Sequence, residues 1–136
     1  MKNLPETSNA GPGRDTRGDQ YPDIEPVIKR IFLNTHGLIM VLNLHEIIYL
    51  KSSSNYTIIK MSDGSRYTSS KHLKTFEEAT DSNPDFLRIH RSSIINKNFV
   101  KAIFRAGHRT SLLMKDDERL DVSAKKKDWI LIELSK

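Results

Sequence analysis

Histidine and serine are the residues of this sequence best able to carry catalytic or metal-binding chemistry, because the chain has no cysteine. His90, Ser92 and Ser93 lie close together, but no Gly-X-Ser-X-Gly turn surrounds either serine, and no feature of the sequence brings Asp116 or Asp117 to them. The five histidines lack the spacing of a His-Glu-X-X-His zinc site. We therefore predict that the chain is not an enzyme and holds no metal ion or cofactor.

Positively charged side chains offer a different chemistry, the binding of a polyanion. The net charge is +5, and residues 1–35 hold five basic and five acidic side chains, so the whole excess lies in residues 36–136. The segment Phe86–Lys115 has no Asp or Glu, and its cations are Arg88, Arg91, Lys97, Lys101, Arg105, Arg109 and Lys115. Such a segment attracts nucleic acid, although a solvated basic face has the same composition.

A second group of cations opens a predicted helix. Ser123 is expected to cap this helix, which runs from Ala124 towards Leu134 and begins with Lys125-Lys126-Lys127. The helix dipole disfavours positive charge at this end by a few tenths of a kcal/mol or more, so the lysines are expected to serve a partner. Free backbone N–H groups at the same helix start also bind phosphate, which predicts a clamp for a nucleic-acid backbone.

The length of 136 residues predicts one domain and a tail. Residues 1–33 are rich in proline and glycine and are expected to be a disordered or linker tail, while residues 34–136 form the domain. No stretch approaches the roughly 20 apolar residues that cross a bilayer, and the N-terminus lacks the apolar core of a signal peptide. We therefore expect a cytoplasmic protein without membrane insertion.

Short apolar runs separated by turn residues predict strands and a mainly β, antiparallel fold. The strands are expected at 38–43, 47–51, 55–61, 66–69, 86–89, 100–105, 110–114 and 119–122. Turns are predicted at Ser62–Ser65, Gly107–His108 and Asp116–Glu118.

One further helix is predicted from Lys71 to about Thr80, capped by Ser70 and packed on a sheet edge. The aromatic side chains away from the polar loops are expected in the core: Tyr49, Phe76, Phe86, Phe104 and Trp129.

Four segments resemble the LytTR DNA-binding domain in order and spacing: Ile47–Ile58, Ser70–Phe76, Phe86–Asn96 and Leu120–Lys126. The most specific is Phe86–Asn96, which reads FLRIHRSSIIN and is close to the family's Phe-X-Arg-X-His-Arg-Ser-Tyr-hydrophobic-hydrophobic-Asn. The resemblance spans about residues 35–134. It implies an antiparallel, multi-sheet LytTR-type β-sandwich with one or two short helices, in which loops and not a recognition helix enter successive major grooves.

Carried over by position, the resemblance implies three DNA-reading loops: the first loop Ser52–Tyr56, the second loop His90–Ser93 and the third loop Ser123–Lys127. Asn55 is suited to adenine, and Arg91 to guanine or a phosphate. The other implied DNA-binding residues are Ser54, Tyr56, Ser92, Lys125 and Lys127, with Tyr56, Ser92 and Lys127 suited to phosphates.

The chain departs from the family pattern at three positions. Ala124 stands where the family often has arginine, so a base contact there is lost or passes to Lys125. Ser93 replaces a common tyrosine, and Lys51 replaces a common acidic residue, which makes the first loop more basic. Two roles stay open for neighbouring side chains: His90 and Asn96 shape the second loop or contact DNA, and Arg88 faces solvent or binds a phosphate.

These features predict a transcription regulator that binds double-stranded DNA in a sequence-specific way. The alternative is a non-enzymatic module that binds an acidic protein, and single-stranded RNA is disfavoured because the loops lack paired aromatic platforms. The resemblance implies a homodimer on repeated half-sites. The segment before the domain is too short for a receiver domain, so control is expected from expression level, from a membrane-bound inhibitor or sensor, or from another part of a longer chain.

Overall fold

The described part of the chain folds into antiparallel strands with two short α-helices. A computed structural model describes residues 27–136. In that range the elements are β1 (Arg30–Thr35), β2 (Leu38–Asn43), β3 (Ile47–Ser53), β4 (Tyr56–Met61), β5 (Arg66–Ser69), α1 (Leu73–Thr80), β6 (Phe86–His90), β7 (Ser93–Asn96), β8 (Val100–Ala106), β9 (Arg109–Met114), β10 (Arg119–Asp121) and α2 (Lys127–Leu134). All eight predicted strands are present, and β1 and β7 were not predicted.

The strands form three sheets in which every pair is antiparallel. The largest has five strands in the order β5-β4-β3-β7-β6, while β1-β2 and β10-β9-β8 form smaller sheets. The prediction of a mainly β, antiparallel fold with several sheets and two short helices is confirmed.

Two central strands of the five-stranded sheet, β3 and β7, are buried on both sheet faces, which explains why their sequences do not alternate between apolar and polar residues. One face packs against β1, β2 and α1, through a cluster that includes Leu50, Phe86 and Ile94. The other face packs against β9, β10 and α2, through a cluster that includes Leu87 and Ile95. The sheet therefore forms the middle layer, and the loops at its ends are held from both sides.

The first strand begins before the predicted start of the domain at residue 34. In β1, Ile31 and Leu33 point into the core, and β1 pairs with β2 around a two-residue turn at His36 and Gly37. Both turn residues have positive φ, 49° and 79°, as tight hairpins require. Residues 30–33 were predicted to belong to the tail, because the apolar residues of β1 lie next to a proline-rich segment. The first 26 residues of the predicted tail lie outside the described residues.

The three predicted turns are present as hairpin connections. Gly64 and Gly107 take positive φ, 95° and 62°, between β4 and β5 and between β8 and β9. Asp117 takes a φ of 70° in the β9–β10 turn, where the Asp116 carboxylate accepts from the Glu118 backbone N–H at 3.1 Å. Asp116 therefore satisfies one backbone N–H group of its own tight turn.

Both predicted helix caps are wrong. The residue before α1 is His72, and the Ser69 hydroxyl, not that of Ser70, accepts a backbone bond, from Lys71. The second helix begins at Lys127, because the Ser123 carbonyl accepts from the Lys126 N–H in a preceding turn. The first helix also lies over the central strands β3 and β7 instead of on a sheet edge.

Two of the five aromatic side chains predicted to be buried are exposed. Tyr49, Phe76 and Phe86 lie in the core, whereas Phe104 is 37% exposed and Trp129 is 47% exposed. Phe104 lies on the outer face of β8, where the Arg119 guanidinium carbon stacks 4.0 Å from its ring centre. Residues 103–106 of β8 are all exposed, so the apolar pair Ile103-Phe104 does not mark a buried strand.

A buried hydroxyl ties the middle sheet to the β9–β10 turn and predicts a response to high pH. The Tyr49 hydroxyl donates to the Asp116 carboxylate at 2.9 Å. Burial, and then this hydrogen bond, raise the pKa of Tyr49 above its usual value. Since the folded state holds the proton more tightly, the stabilisation is complete below about pH 10 and is lost as the pH rises further.

We expect Tyr49→Phe to lower the free energy of unfolding by about 1–2 kcal/mol at pH 7. The difference from wild type should shrink above about pH 10, because only the wild-type chain has this proton to lose. Urea unfolding between pH 7 and pH 11 measures both effects, with Tyr56→Phe as the exposed control. An unchanged difference across this range would contradict the assignment.

Candidate nucleic-acid interface

The first loop is a tight hairpin between β3 and β4. Ser53 pairs with Tyr56, so Ser54 and Asn55 alone make the turn. Ser54 takes a φ of 53°, a conformation that hairpin turns favour but that side chains other than glycine seldom adopt. The side chains of Ser54, Asn55 and Tyr56 are all exposed. The loop therefore presents a carboxamide and a phenol on a short, restrained backbone.

The second loop joins β6 to β7 and presents Arg91 to solvent. The backbone N–H of Ser92 donates to His90 Nδ1 at 3.2 Å, and the Ser92 hydroxyl lies 2.8 Å from the same nitrogen. A nitrogen that accepts from a backbone N–H carries no proton, so the hydroxyl is the donor. His90 thus holds the turn that carries Arg91, and Asn96 is buried, with its side chain accepting from the Asn98 backbone.

The third loop leads from β10 into α2. Lys125 is exposed, and Lys127 is half-buried at the start of α2. Lys126 turns inward, where its ammonium donates to the Arg88 carbonyl at 3.2 Å. Of the three lysines predicted to face a partner, Lys125 is therefore the most accessible.

Backbone hydrogen bonds gather the three loops along one edge of the molecule. The N–H of Ser52, in the first loop, donates to the carbonyl of Ser92, in the second, at 2.9 Å. The N–H of Ser123, in the third loop, donates to the Ile89 carbonyl, next to the second loop, at 2.7 Å. We call the edge formed by the three loops the loop edge. The sequence prediction that places these loops together agrees with this geometry.

A cleft of about 420 Å³ lies between the second and third loops and brings in a fourth segment. Its lining includes Arg91 and Ala124, and from the β8–β9 turn His108 and Arg109. Neither residue was among the predicted DNA-binding side chains. Arg109 lies in the basic segment 86–115, and the lining of the cleft shows that it reaches the loop edge.

Several other cations form ion pairs with carboxylates within the fold. Lys51 pairs with Glu118, so the extra charge expected in the first loop is neutralised by the β9–β10 turn. Lys101 contacts Asp117 at 2.6 Å, and Arg88 contacts Glu77 at 2.7 Å. The basic segment is therefore not one continuous surface, and among the described cations at the loop edge Arg91, Arg109 and Lys125 are exposed.

Two observations bear on other classes of site. Between residues 27 and 136, no group of three or more His, Asp or Glu side chains is arranged to hold a metal ion. No helix in the same range is long and apolar enough to cross a membrane.

Known proteins share this fold and sequence pattern. A family model described as the LytTr DNA-binding domain matches residues 37–131. The chain is 30% identical over 95 residues to the sensory transduction protein LytT of Bacillus subtilis, a match that covers 69% of this chain and 39% of that protein. A solved LytTr DNA-binding domain from Bacillus cereus aligns with a TM-score of 0.67 at 25% identity, over 79% of this chain and 98% of that domain. This chain belongs to the LytTr DNA-binding domain family.

Proposed function

We propose that the chain is a transcription regulator that binds double-stranded DNA in a sequence-specific way, with the loop edge entering successive major grooves. The observation that carries the proposal is the pair of backbone bonds, Ser52 to Ser92 and Ser123 to Ile89, which fix the three loops on one edge. Exposed Asn55, Arg91 and Lys125 lie on these loops. Loops that share a rigid backbone can contact one duplex together.

Within this function, two side chains are assigned to bases. Asn55 has the carboxamide that pairs in a bidentate way with adenine, and Arg91 has the planar fork that matches the two acceptors of guanine. Both are exposed on two-residue turns, so little backbone freedom is lost when they bind. These two residues, with a contribution from Lys125, are proposed to set the sequence preference.

The other loop residues are assigned to the DNA backbone. Lys127, Tyr56 and Ser54 are proposed to hold phosphates and so to fix the register of the domain on the duplex. A contact from Ser92 requires its hydroxyl to leave His90. Arg109 and His108 widen the basic edge beyond the three loops and are proposed as further phosphate contacts.

The wider biological setting is also a proposal. We infer a non-enzymatic regulator that acts in the cytoplasm, where two copies occupy repeated half-sites. The chain spans 39% of the length of the curated relative that it matches, so the input that controls it, including a membrane-bound inhibitor or sensor, stays a prediction.

Selection of bound duplexes from a random pool, followed by salt titration, tests the proposal. We expect enrichment of one short motif, and a selected duplex that binds more tightly than random duplex at every salt concentration. The four cations Arg91, Arg109, Lys125 and Lys127 predict a slope of log K against log salt of roughly −4. A steep slope without an enriched motif would mean that the edge binds polyanions without reading sequence. A flat slope would favour a protein partner.

A further inference from the structure

Arg88 occupies an unusual position beneath the second loop. It lies on β6 just before a β-bulge, where the pairing with β7 shifts between Arg88 and His90. Its side chain is only 19% exposed, although arginine is among the residues least often buried. A buried guanidinium is stable only when its hydrogen bonds are satisfied, so its partners indicate its role.

All three nitrogens of the Arg88 guanidinium have partners inside the fold. Nε donates to the His90 carbonyl at 2.8 Å, and Nη2 donates to the Arg91 carbonyl. Nη1 donates to the Glu77 carboxylate at 2.7 Å. Two successive carbonyls of the second loop are therefore held by one planar group, and this group is held by helix α1.

We propose that Arg88 is a positioning residue for DNA reading: it fixes the backbone that carries Arg91, and Glu77 fixes Arg88. The inference rests on the proposed base-reading role of Arg91. A free guanidinium on a mobile turn would lose conformational entropy on binding, whereas a turn clamped at two carbonyls aims its side chain in advance. Arg88 itself has no nitrogen left without a partner, so it does not need DNA to be satisfied.

The geometry of the clamp requires arginine and not merely a positive charge. A lysine ammonium is a point donor that cannot span two carbonyls and a carboxylate in one plane. Arg88→Lys therefore keeps the net charge and removes the clamp. Glu77→Ala removes the support from α1, and Glu78→Ala, at an exposed position on the same helix, makes the same change of charge without touching Arg88.

The first test is a double-mutant cycle, with binding to the selected duplex and to random duplex measured for each variant. Arg88→Lys should lower the ratio of the two affinities about tenfold, with the random-duplex affinity within about twofold of wild type. Arg91→Ala should lower the same ratio roughly 5- to 150-fold, and adding Arg88→Lys to the Arg91→Ala chain should lower it less than about threefold further. Effects that multiply would show that Arg88 acts independently of Arg91 and would overturn the inference.

The second test uses the helix variants and decides the matter if Arg88→Lys does not fold. Glu77→Ala should lower the affinity ratio at least about threefold relative to Glu78→Ala, while amide spectra and thermal unfolding show that both are folded. Equal ratios for the two variants would overturn the inference. If Arg91→Ala alone lowers the ratio, the positioning role is wrong and the proposed function stands; if Arg91→Ala leaves it unchanged, the base-reading role of Arg91 fails and the positioning role with it, whereas the proposed function itself fails only if the selection enriches no motif.

Discussion

Replacing Arg91 by alanine is expected to weaken binding to the selected duplex by about 1–3 kcal/mol, a loss of roughly 5- to 150-fold. The side chain is exposed at the tip of the second loop, and its backbone is held by Arg88 and by the His90–Ser92 contacts. The substitution removes both hydrogen bonds of a bidentate contact but leaves these restraints in place. Binding measured against duplexes that vary one base pair at a time should show preference lost at one position.

The matched control for this prediction is Lys127→Ala. A phosphate contact carries no sequence information, so this change should weaken all duplexes alike and make the salt slope shallower by about 1. Should Arg91→Ala behave in the same way as Lys127→Ala, Arg91 holds a phosphate and does not read a base.

Replacing Ile130 by alanine is expected to lower the free energy of unfolding by about 2–5 kcal/mol. Ile130 is fully buried and is the α2 residue buried in the cluster between the middle sheet and β9–β10. Truncating it leaves a cavity in the cluster that also contains Ile89 and Val122, which precede the second and third loops. Urea unfolding with the same m-value would show a change of stability without a change of fold.

Ile132 lies on the same helix, two residues along, and is 58% exposed. Ile132→Ala removes the same atoms from solvent-facing surface and places a better helix former in α2, so its effect should stay within about 0.5 kcal/mol. Similar costs at the two positions would contradict the packing of α2 described above.

The arrangement of the middle sheet could be predicted only in part from sequence. Turn residues such as Asp63-Gly64 and Asp116-Asp117 locate hairpins because they satisfy local backbone geometry. The strand β7, by contrast, was not predicted as a separate strand, because it lies within the motif Phe86–Asn96. All four of its residues are buried, so it has no alternation of apolar and polar residues. The strand β1 was not predicted because its apolar residues lie next to a proline-rich segment.

The loop edge shows a similar division between local and long-range information. The three loops were predicted, because the segments that resemble the family occur in this sequence in the family's order and spacing. The clamp on Arg88 was not, since Glu77 lies 11 residues away on α1 and only tertiary packing brings the two together. The position of Arg109 at the loop edge depends in the same way on tertiary packing. The predicted hydroxyl caps failed because the Lys71 N–H donates to the Ser69 hydroxyl and the Lys126 N–H donates to the Ser123 carbonyl.

Titration of the labelled protein with the selected duplex, followed through its backbone amide signals, is the most direct measurement of the central claim that three loops meet one duplex. The amides of Asn55, Arg91 and Lys125 should shift together at the same duplex concentration, while those of Gly64 and Asp117, in turns away from these loops, stay in place. Shifts confined to one loop, or centred on the turns of Gly64 and Asp117, would contradict the account.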